Sequence, residues 1–440
     1  MWIPKRPESL EEAKLEAQYV EDCILKILNV RGSMRGGKFA DSFKLPYGLI
    51  EDTIQDLRNR DMIGAAGGGS AMGGNSGLNF GLTSKGIELA ATVSKRSPYF
   101  GPAPVDIPDY ITSVENQKFQ NRMVRRNHLE KAFSDIKISQ EYLNQLGPAI
   151  NSGGPIFLYG KPGNGKTTMS ERIARLYRQG IFIPHAIQMN GEIIQIYDEK
   201  IHKKIPVEIL PEDHPLRLDP NQADPRWVYV FRPFIVVGGE LTLEMLDLTF
   251  ISGQASYEAP FQLKANCGVL LIDDFGRQKV KPSDFLNRWI YPLEKGMDFL
   301  SLASGKKIEV PFEQLIILST NLDPKDLGDE AFWRRIKYMI ETPSPTESDF
   351  KFIFQTICAK KNVAFEEEAY AYMVEKYYKQ AGREFRSVHP RDIMNRVSDF
   401  ISYFGLPPKL TRQVVDQACN SFFGNQAAQT AAAPAQRLAG

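Results

Sequence analysis

Apolar positions recur with a helical period near both ends of the chain, and apolar runs of strand length lie between them. The amino-terminal helical faces consist of Val20, Ile24, Ile27 and Leu28, and of Ile50, Ile54 and Leu57. The carboxyl-terminal faces consist of Phe350, Ile353, Phe354 and Ile357, of Tyr370, Met373, Val374 and Tyr377, of Ile393, Val397, Phe400, Ile401 and Phe404, and of a helix over 411–423. Apolar runs at 156–159, 269–272 and 315–318 predict buried parallel strands. The pattern therefore predicts an α/β protein with helical units at both ends.

Residues 10–96 form the first predicted domain, in which three helices precede a glycine-rich hairpin and a closing helix. This order resembles a winged-helix domain with Tyr47 to Asp61 as its recognition helix. That helix carries four acidic residues against two arginines, and no charged residue lies between Asp61 and Lys85. Because Lys and Arg contacts to phosphate supply most of the affinity for DNA, protein docking is favoured over duplex DNA binding.

Composition shifts predict the other domain boundaries. They are 97–120 for a Pro-rich linker, 121–345 for an α/β core with an insertion around 182–227, 346–423 for a helical lid, and 424–440 for a disordered Ala/Gln-rich tail. The insertion begins as a hairpin with a charged tip and continues as a loop rich in Pro and Asp. Such insertions usually carry partner specificity, and a purely structural role is an equal alternative.

Composition narrows the class of protein without identifying it. The chain has 440 residues, 42% hydrophobic and 24% charged, with 54 Lys plus Arg against 53 Asp plus Glu, which excludes general disorder. Its four cysteines are widely spaced and its five histidines lack metal-ligand spacing, so we expect neither a disulfide framework nor zinc. The first residues lack a signal segment and no apolar run could span a bilayer, so we expect a cytoplasmic protein without membrane insertion.

The strongest chemical signal follows the apolar run at 156–159. Residues 160–167 fit GxxxxGK[ST] at every fixed position, and an amphipathic helix follows. Glycines let backbone N–H groups wrap a polyphosphate, and the helix N-terminus adds its positive dipole end. The predicted ATP-binding residues are Gly160, Lys161, Pro162, Gly163, Asn164, Gly165, Lys166, Thr167 and Thr168, with Lys166 on the β- and γ-phosphates and Thr167 on Mg²⁺.

Polar side chains also end two further buried strands. Asp273 and Asp274 follow the run at 269–272, which predicts Asp273 near the magnesium ion and Asp274 near the attacking water. A helix N-cap is the alternative role for this pair. Asn321 ends the next apolar run and can present its amide to the γ-phosphate or to the water.

Three arginines complete the candidate site. Arg334 and Arg335 stand just before a further predicted strand, and Arg391 lies at the start of a helix with Pro390 in its first turn. Amide and arginine signals in this order after a phosphate loop are more specific than any one of them alone.

Taken together, these residues resemble the AAA+ ATPase family over about Asn127 to Gly424. Walker A matches 160–167, Walker B matches 269–274, sensor 1 matches Asn321, the arginine finger matches Arg334 or Arg335, and sensor 2 matches Arg391. The resemblance implies a five-stranded parallel sheet with flanking helices, followed by a helical lid. It also implies ATP hydrolysis at the interfaces of a homo-oligomeric ring, expected to be a hexamer, with Arg391 acting within its own subunit and Arg334 or Arg335 reaching the neighbour.

Two segments resemble insertions of one AAA+ branch. A predicted hairpin with Ser304 and Gly305 at its turn precedes sensor 1, and residues 241–266 resemble a helix-2 insert. MoxR-like ATPases, McrB-like motors and magnesium-chelatase subunits share these features. Phe250 to Gly253, or Tyr257, could project into a central channel, but ordinary packing is favoured. Asp274 stands where the family usually has Glu, which predicts slow hydrolysis.

Three functions therefore remain open. The first is a chaperone-like motor that remodels an unidentified protein client and docks it through the amino-terminal domain. The second is a regulator that uses the winged helix to bind duplex DNA. The third is a slow ATP-dependent assembly switch, which Asp274 keeps open. The neutral hairpin and the acidic recognition helix favour the first.

Overall fold

A computed structural model describes residues 1–67, 74–119, 123–177, 179–327 and 333–432. An α/β core lies between a small amino-terminal unit and a carboxyl-terminal helical unit. Among the described residues, no helix combines the length and the hydropathy that a membrane span requires.

The amino-terminal unit packs its helices against a small sheet. Its elements are α1 (Ala17–Arg31), β1 (Ser33–Arg35), α2 (Gly36–Phe43), α3 (Gly48–Asn59), β2 (Ile63–Ala65), α4 (Gly74–Gly77), β3 (Asn79–Leu82) and α5 (Ser84–Arg96). Strand β3 pairs antiparallel with both β1 and β2, and Ile24, Phe39, Ile54 and Phe80 are fully buried between the elements. The expected helices and hairpin strands follow in this order, the glycine-rich residues 68–73 lie outside the described residues, and the winged-helix assignment stays a prediction.

The middle of the chain alternates strands and helices. Its elements are β4 (Val105–Asp106), α6 (Ile107–Gln117), α7 (Arg126–Ala132), α8 (Gln140–Asn151), β5 (Ile156–Tyr159), α9 (Lys166–Ala174), β6 (Gly180–Pro184), β7 (Ala186–Met189), β8 (Glu192–Gln195), α10 (Pro215–Leu218), β9 (Trp227–Phe231), β10 (Phe234–Val237), β11 (Thr249–Ile251), β12 (Ser256–Glu258), α11 (Phe261–Lys264), β13 (Val269–Ile272), α12 (Pro282–Lys295), β14 (Met297–Ser301), β15 (Lys307–Pro311), β16 (Leu315–Thr320) and β17 (Tyr338–Glu341).

The central sheet is parallel and five-stranded, in the order β10-β13-β16-β5-β17. Successive residues of β13 point to opposite faces, so Leu270 and Ile272 join one hydrophobic core and Val269 and Leu271 join the other. Because both faces are covered, the strands are continuous apolar runs, as the sequence indicated. The predicted α/β fold class with a five-stranded parallel sheet is confirmed.

A second module lies beside the central sheet. A mixed sheet in the order β11-β12-β8-β7-β4, the ribbon β6–β9 and the hairpin β14–β15 share one hydrophobic core with α6. The predicted linker over residues 97–120 is wrong for most of its length, because it supplies β4 and α6 to this core. Val105, Tyr110 and Val114 are at most 3% exposed. A Pro-rich composition indicated an extended linker, but its apolar residues find partners in strands far along the chain.

The insertion around 182–227 binds the chain's own amino terminus. Its hairpin is β7–β8, as predicted, and its later loop lies against residues 1–15. Trp2 packs edge-on against Trp227 at 5.2 Å between ring centroids, and Lys5 forms a bridge with Ala223. The insertion therefore holds the first residues of the chain.

The carboxyl-terminal unit is helical, as predicted for the lid. Its elements are α13 (Glu347–Lys360), α14 (Glu367–Val374), a π-helical turn (Glu375–Lys379), α15 (His389–Phe404) and α16 (Arg412–Ala432). Thr346 and Asp349 form a capping box at the start of α13. The predicted disordered tail from 424 is a continuation of α16 as far as Ala432, and residues 433–440 lie outside the described residues.

Candidate functional site

The phosphate loop connects β5 to α9. Gly160, Gly163 and Gly165 have φ angles of 137°, 82° and 85°, which favour glycine. A Cβ at Gly160 would lie 2.6 Å from the carbonyl oxygen of Thr342, just after β17, so the loop runs close against its neighbour. Helix α9 begins at Lys166, which directs its first backbone N–H groups toward the loop. This is the geometry of an anion site at a helix N-terminus.

Lys166 lies at the centre of the site and is only 6% exposed. Its Nζ donates hydrogen bonds to the carbonyl oxygens of Gly160 at 2.9 Å and Lys161 at 3.2 Å, and to Asn321 Oδ1 at 2.5 Å. All three acceptors are neutral. Burial lowers the pKa of Lys166, while Asp273 and Asp274 oppose that shift. Within the described residues, the ammonium is therefore a buried charge whose hydrogen-bond acceptors are all neutral oxygens.

Asp273 connects three elements of the site. Thr167 Oγ1 on α9 donates to Asp273 Oδ2 at 2.8 Å, and the Ser319 hydroxyl on β16 donates to Asp273 Oδ1. The parallel register pairs Ile272 with Leu318, which places Ser319 beside the carboxylate. Sequence reasoning missed Ser319, because a serine inside an apolar strand carries no motif.

The oxygens of Thr167 and Asp273 are of the type that Mg²⁺ prefers. Among the described residues, no group of three or more His, Cys, Asp or Glu side chains could hold a metal.

Asp274 and Asn321 form the outer part of the site. Asn321 Nδ2 donates to Asp274 Oδ1 at 2.7 Å, so the same amide contacts both Asp274 and Lys166. Asp274 has φ of 51°, a left-handed conformation that Asp tolerates better than most residues. In the described part of the chain, the next helix begins at Pro282, so the alternative that the pair caps a helix is wrong.

The structure separates the two adjacent arginines before β17. Arg335 Nε donates to Glu294 Oε1 on α12 at 3.0 Å, whereas Arg334 is exposed. Trp333 packs edge-on against Phe157 of β5, with ring centroids 5.0 Å apart. Arg335 is therefore held within its own chain, and Arg334 points to solvent at the same turn.

The lid reaches the phosphate loop through residues that sequence reasoning missed. Arg386 Nη1 donates to the carbonyl oxygen of Pro162 at 3.1 Å, and Lys161 Nζ lies 2.5 Å from Glu384. The predicted lid arginine, Arg391, is 65% exposed in its side chain and pairs with Asp392 at 3.2 Å. Glu384 and Arg386 lie in a loop without a recognisable motif, and only the tertiary contact reveals them.

Both insertions before sensor 1 are hairpins, β11–β12 and β14–β15, and Ser304 and Gly305 lie between the strands of the second. Tyr257 is 2% exposed, and its hydroxyl accepts a hydrogen bond from the Ala303 backbone at 3.0 Å. It packs between the hairpins and cannot enter a channel. Phe250 is 47% exposed.

A family model matches the lid, and several solved structures are similar to a larger part of the chain. Residues 346–421 match the family model described as a domain of unknown function, DUF8689, and no curated protein matches the chain. NtrX from Brucella abortus is similar with a TM-score of 0.40 and 15% identity, covering 77% of this chain and 67% of that one. A RuvB mutant from Thermotoga maritima has a TM-score of 0.36 and 14% identity, covering 69% and 72%. NtrX in complex with ADP has a TM-score of 0.37 and 14% identity, covering 75% and 65%.

A phosphate loop follows β5, two carboxylates follow the second strand away from it, and an amide follows the strand between them. With the helical unit after β17, this order of strands and polar ends agrees with the core and lid that the sequence resemblance implied.

Proposed function

We propose that this chain is an ATPase that binds ATP with Mg²⁺ at the phosphate loop and hydrolyses it to ADP and phosphate. The convergence of Lys166, Thr167, Asp273, Asp274 and Asn321 carries the proposal. They end three neighbouring strands or begin the helix after them, and they are joined by direct hydrogen bonds.

Lys166 supplies the charge that binds phosphate. Its Nζ can exchange its neutral acceptors for phosphate oxygens, whose negative charge adds Coulombic attraction to the hydrogen bonds. Release of the Asn321 amide from Lys166 in the same step would couple nucleotide binding to the position of that amide.

Thr167 and Asp273 are suited to hold magnesium, which when bound neutralises charge on the phosphates. Ser319 fixes the orientation of Asp273 by donating to Oδ1. Asn321 fixes the plane of the Asp274 carboxylate, so that its Oδ2 can accept a hydrogen bond and then a proton from the attacking water. Since Asp is one methylene shorter than Glu, we expect slow turnover.

Arg334 is the residue that we assign to the neighbouring subunit's site. An arginine supplied in trans must project from its own subunit, and Arg334 is exposed whereas Arg335 is paired with Glu294. We therefore propose that copies of the chain assemble into a ring, with a hexamer as the expected form. The hairpins β11–β12 and β14–β15 support a place in the MoxR-like branch.

The amino-terminal unit is proposed to dock a protein client, so that the ATPase remodels a protein complex. Both arginines of the recognition helix are engaged within the unit: Arg60 pairs with Glu21 and Asp56, and Arg58 donates to Asn75. This leaves an acidic outer face, which disfavours duplex DNA. The four cysteines are buried and unpaired, which supports a cytoplasmic location.

The test is ATP turnover per chain across a protein dilution series, with Arg334→Ala and Arg335→Ala in parallel. We expect turnover to rise with concentration, and Arg334→Ala to reduce it by about 10³-fold while ATP binding is retained. Arg335→Ala is the matched control with a smaller effect. Turnover that is independent of concentration and of Arg334 would contradict the interfacial site.

A further inference from the structure

A five-residue segment of the lid lies directly on the phosphate loop. Lys161 Nζ is 2.5 Å from both carboxylate oxygens of Glu384. Val388 N donates to the carbonyl oxygen of Gly163 at 2.9 Å. With the contact from Arg386 to Pro162, three consecutive residues of the loop are each bound by this segment, which we call the lid clasp (residues 384–388).

Packing makes the lid clasp a close-fitting contact. Gly163 has a φ of 82°, and a Cβ there would lie 2.5 Å from Val388 Cγ1. On the lid side, the Phe385 ring lies 4.8 Å from Phe350 and 5.0 Å from Tyr378, centroid to centroid. Because aromatic packing fixes the segment to the lid core, a shift of the lid must change its contacts with the phosphate loop.

Glu384 of the lid clasp and its partner Lys161 carry opposite charges, so they should respond in opposite ways to bound nucleotide. Lys161 beside it lowers the pKa of Glu384, so this carboxylate is ionised at neutral pH. It therefore places a negative charge against a loop whose proposed ligand is a polyphosphate. Lys161 and Glu384 are about half exposed, with side-chain values of 54% and 53%, so solvent and ligand can reach the pair.

We propose that Lys161 and Glu384 form a nucleotide-sensitive latch between the phosphate loop and the lid. Without nucleotide, Glu384 neutralises Lys161 and holds the lid clasp on the loop. Bound phosphates attract Lys161 and repel Glu384, so ATP binding breaks the ion pair and frees the lid to move. This inference rests on the proposed ATP binding, and it identifies the regulation of that site.

Linkage gives the latch a measurable consequence. If ATP binding weakens the ion pair, then loss of the ion pair must strengthen ATP binding by the same factor. Glu384→Gln removes the competing charge and keeps the size of the side chain. We expect it to bind ATP about two- to five-fold more tightly, which is the range that exposed ion pairs can supply.

The experiment measures the Kd of a fluorescent ATP analogue with Mg²⁺ for the wild type, Glu384→Gln, Lys161→Gln and the double variant. We expect the gain from Glu384→Gln to be smaller in the Lys161→Gln background, where only the direct repulsion of Glu384 by phosphate is relieved, and to shrink as salt is added. Glu366→Gln is the matched control, because Glu366 pairs with Lys409 at 3.1 Å within the lid at similar exposure. It should bind like the wild type.

Two results would overturn the latch. One is a Glu384→Gln variant whose affinity equals or falls below that of the wild type. The other is an equal gain with Lys161 present or absent, since Glu384 would then act without its partner. A wild-type chain that binds no nucleotide would instead refute the proposed function itself, so the two failures are distinguishable.

Discussion

Two buried cations, Lys166 in the core and Arg226 in the insertion, are surrounded in opposite ways. Their exposed fractions are 6% and 4%. Arg226 Nε and Nη2 donate to the Asp224 carboxylate, the latter at 2.7 Å, and Nη1 donates to the carbonyl oxygens of Ala13 and Pro104. Lys166, among the residues that the structure describes, donates to neutral oxygens alone.

The difference distinguishes a charge that stabilises the fold from a charge that is available to bind a ligand. A buried ion is costly unless a counter-ion contacts it. Asp224 meets that requirement for Arg226, whose hydrogen bonds join the amino-terminal segment to the insertion. Lys166 lacks such contact in the described part of the chain. Asp273 and Asp274 oppose the lowering of its pKa without forming an ion pair with it. We conclude that its charge is arranged for an anionic ligand.

The largest expected effect is the loss of stability when Arg226 loses its counter-ion Asp224. Asp224→Ala leaves Arg226 buried without a counter-ion, so we expect the free energy of unfolding to fall by about 3–5 kcal/mol, measured by urea denaturation. ATP affinity of the folded protein should be unchanged, because the phosphate loop is not touched. Asp213→Ala, an exposed change elsewhere in the insertion, before α10, should alter stability by less than about 0.5 kcal/mol. Equal effects of the two variants would show that the ion pair does not secure the insertion.

A smaller effect, on turnover, is expected at Asp274, the residue that we assign to the attacking water. Asp274→Asn keeps the hydrogen bond from Asn321 but removes the proton acceptor, so turnover should fall by about 100-fold with ATP binding retained. Steady-state phosphate release and analogue binding measure the two properties. Asp284→Asn, exposed on α12, is the control. Unchanged turnover would mean that another group activates the water.

The sequence was sufficient to locate the residues whose roles depend on local motifs. The phosphate loop, the two carboxylates and Asn321 each follow an apolar strand, and the carboxyl ends of parallel strands share one edge of a sheet. Their approach to one another therefore follows from the fold class. The lid helices were predicted from their helical period, whereas the five-stranded sheet was what the family resemblance implied.

Residues whose roles depend on contacts between distant segments could not be predicted. Glu384 and Arg386 lie in a loop more than 200 residues from the phosphate loop that they contact. The stretch at 97–120 has the composition of a linker, yet α6 packs against strands that come much later in the chain. Periodicity and composition do not indicate which distant segment will cover an apolar face.

A smaller effect than that of Asp274→Asn is expected at Ser319. Ser319→Ala removes the hydroxyl that orients Asp273, so half-maximal turnover should need about 10-fold more Mg²⁺, as is typical for loss of a residue that orients a metal ligand. A magnesium titration of turnover measures this, with Ser283→Ala as an exposed control. An unchanged magnesium requirement would show that Asp273 needs no such support.

The most direct test of the central claim compares thermal unfolding with and without Mg-ATP for the wild type and Lys166→Met. If the Lys166 charge is arranged for phosphate, saturating ATP should raise the Tm of the wild type, since ligand at 100 times its Kd stabilises by about 2.7 kcal/mol. Lys166→Met should fold, because it removes the buried charge, and ATP should not raise its Tm. An equal rise in both proteins, or none in the wild type, would contradict the account.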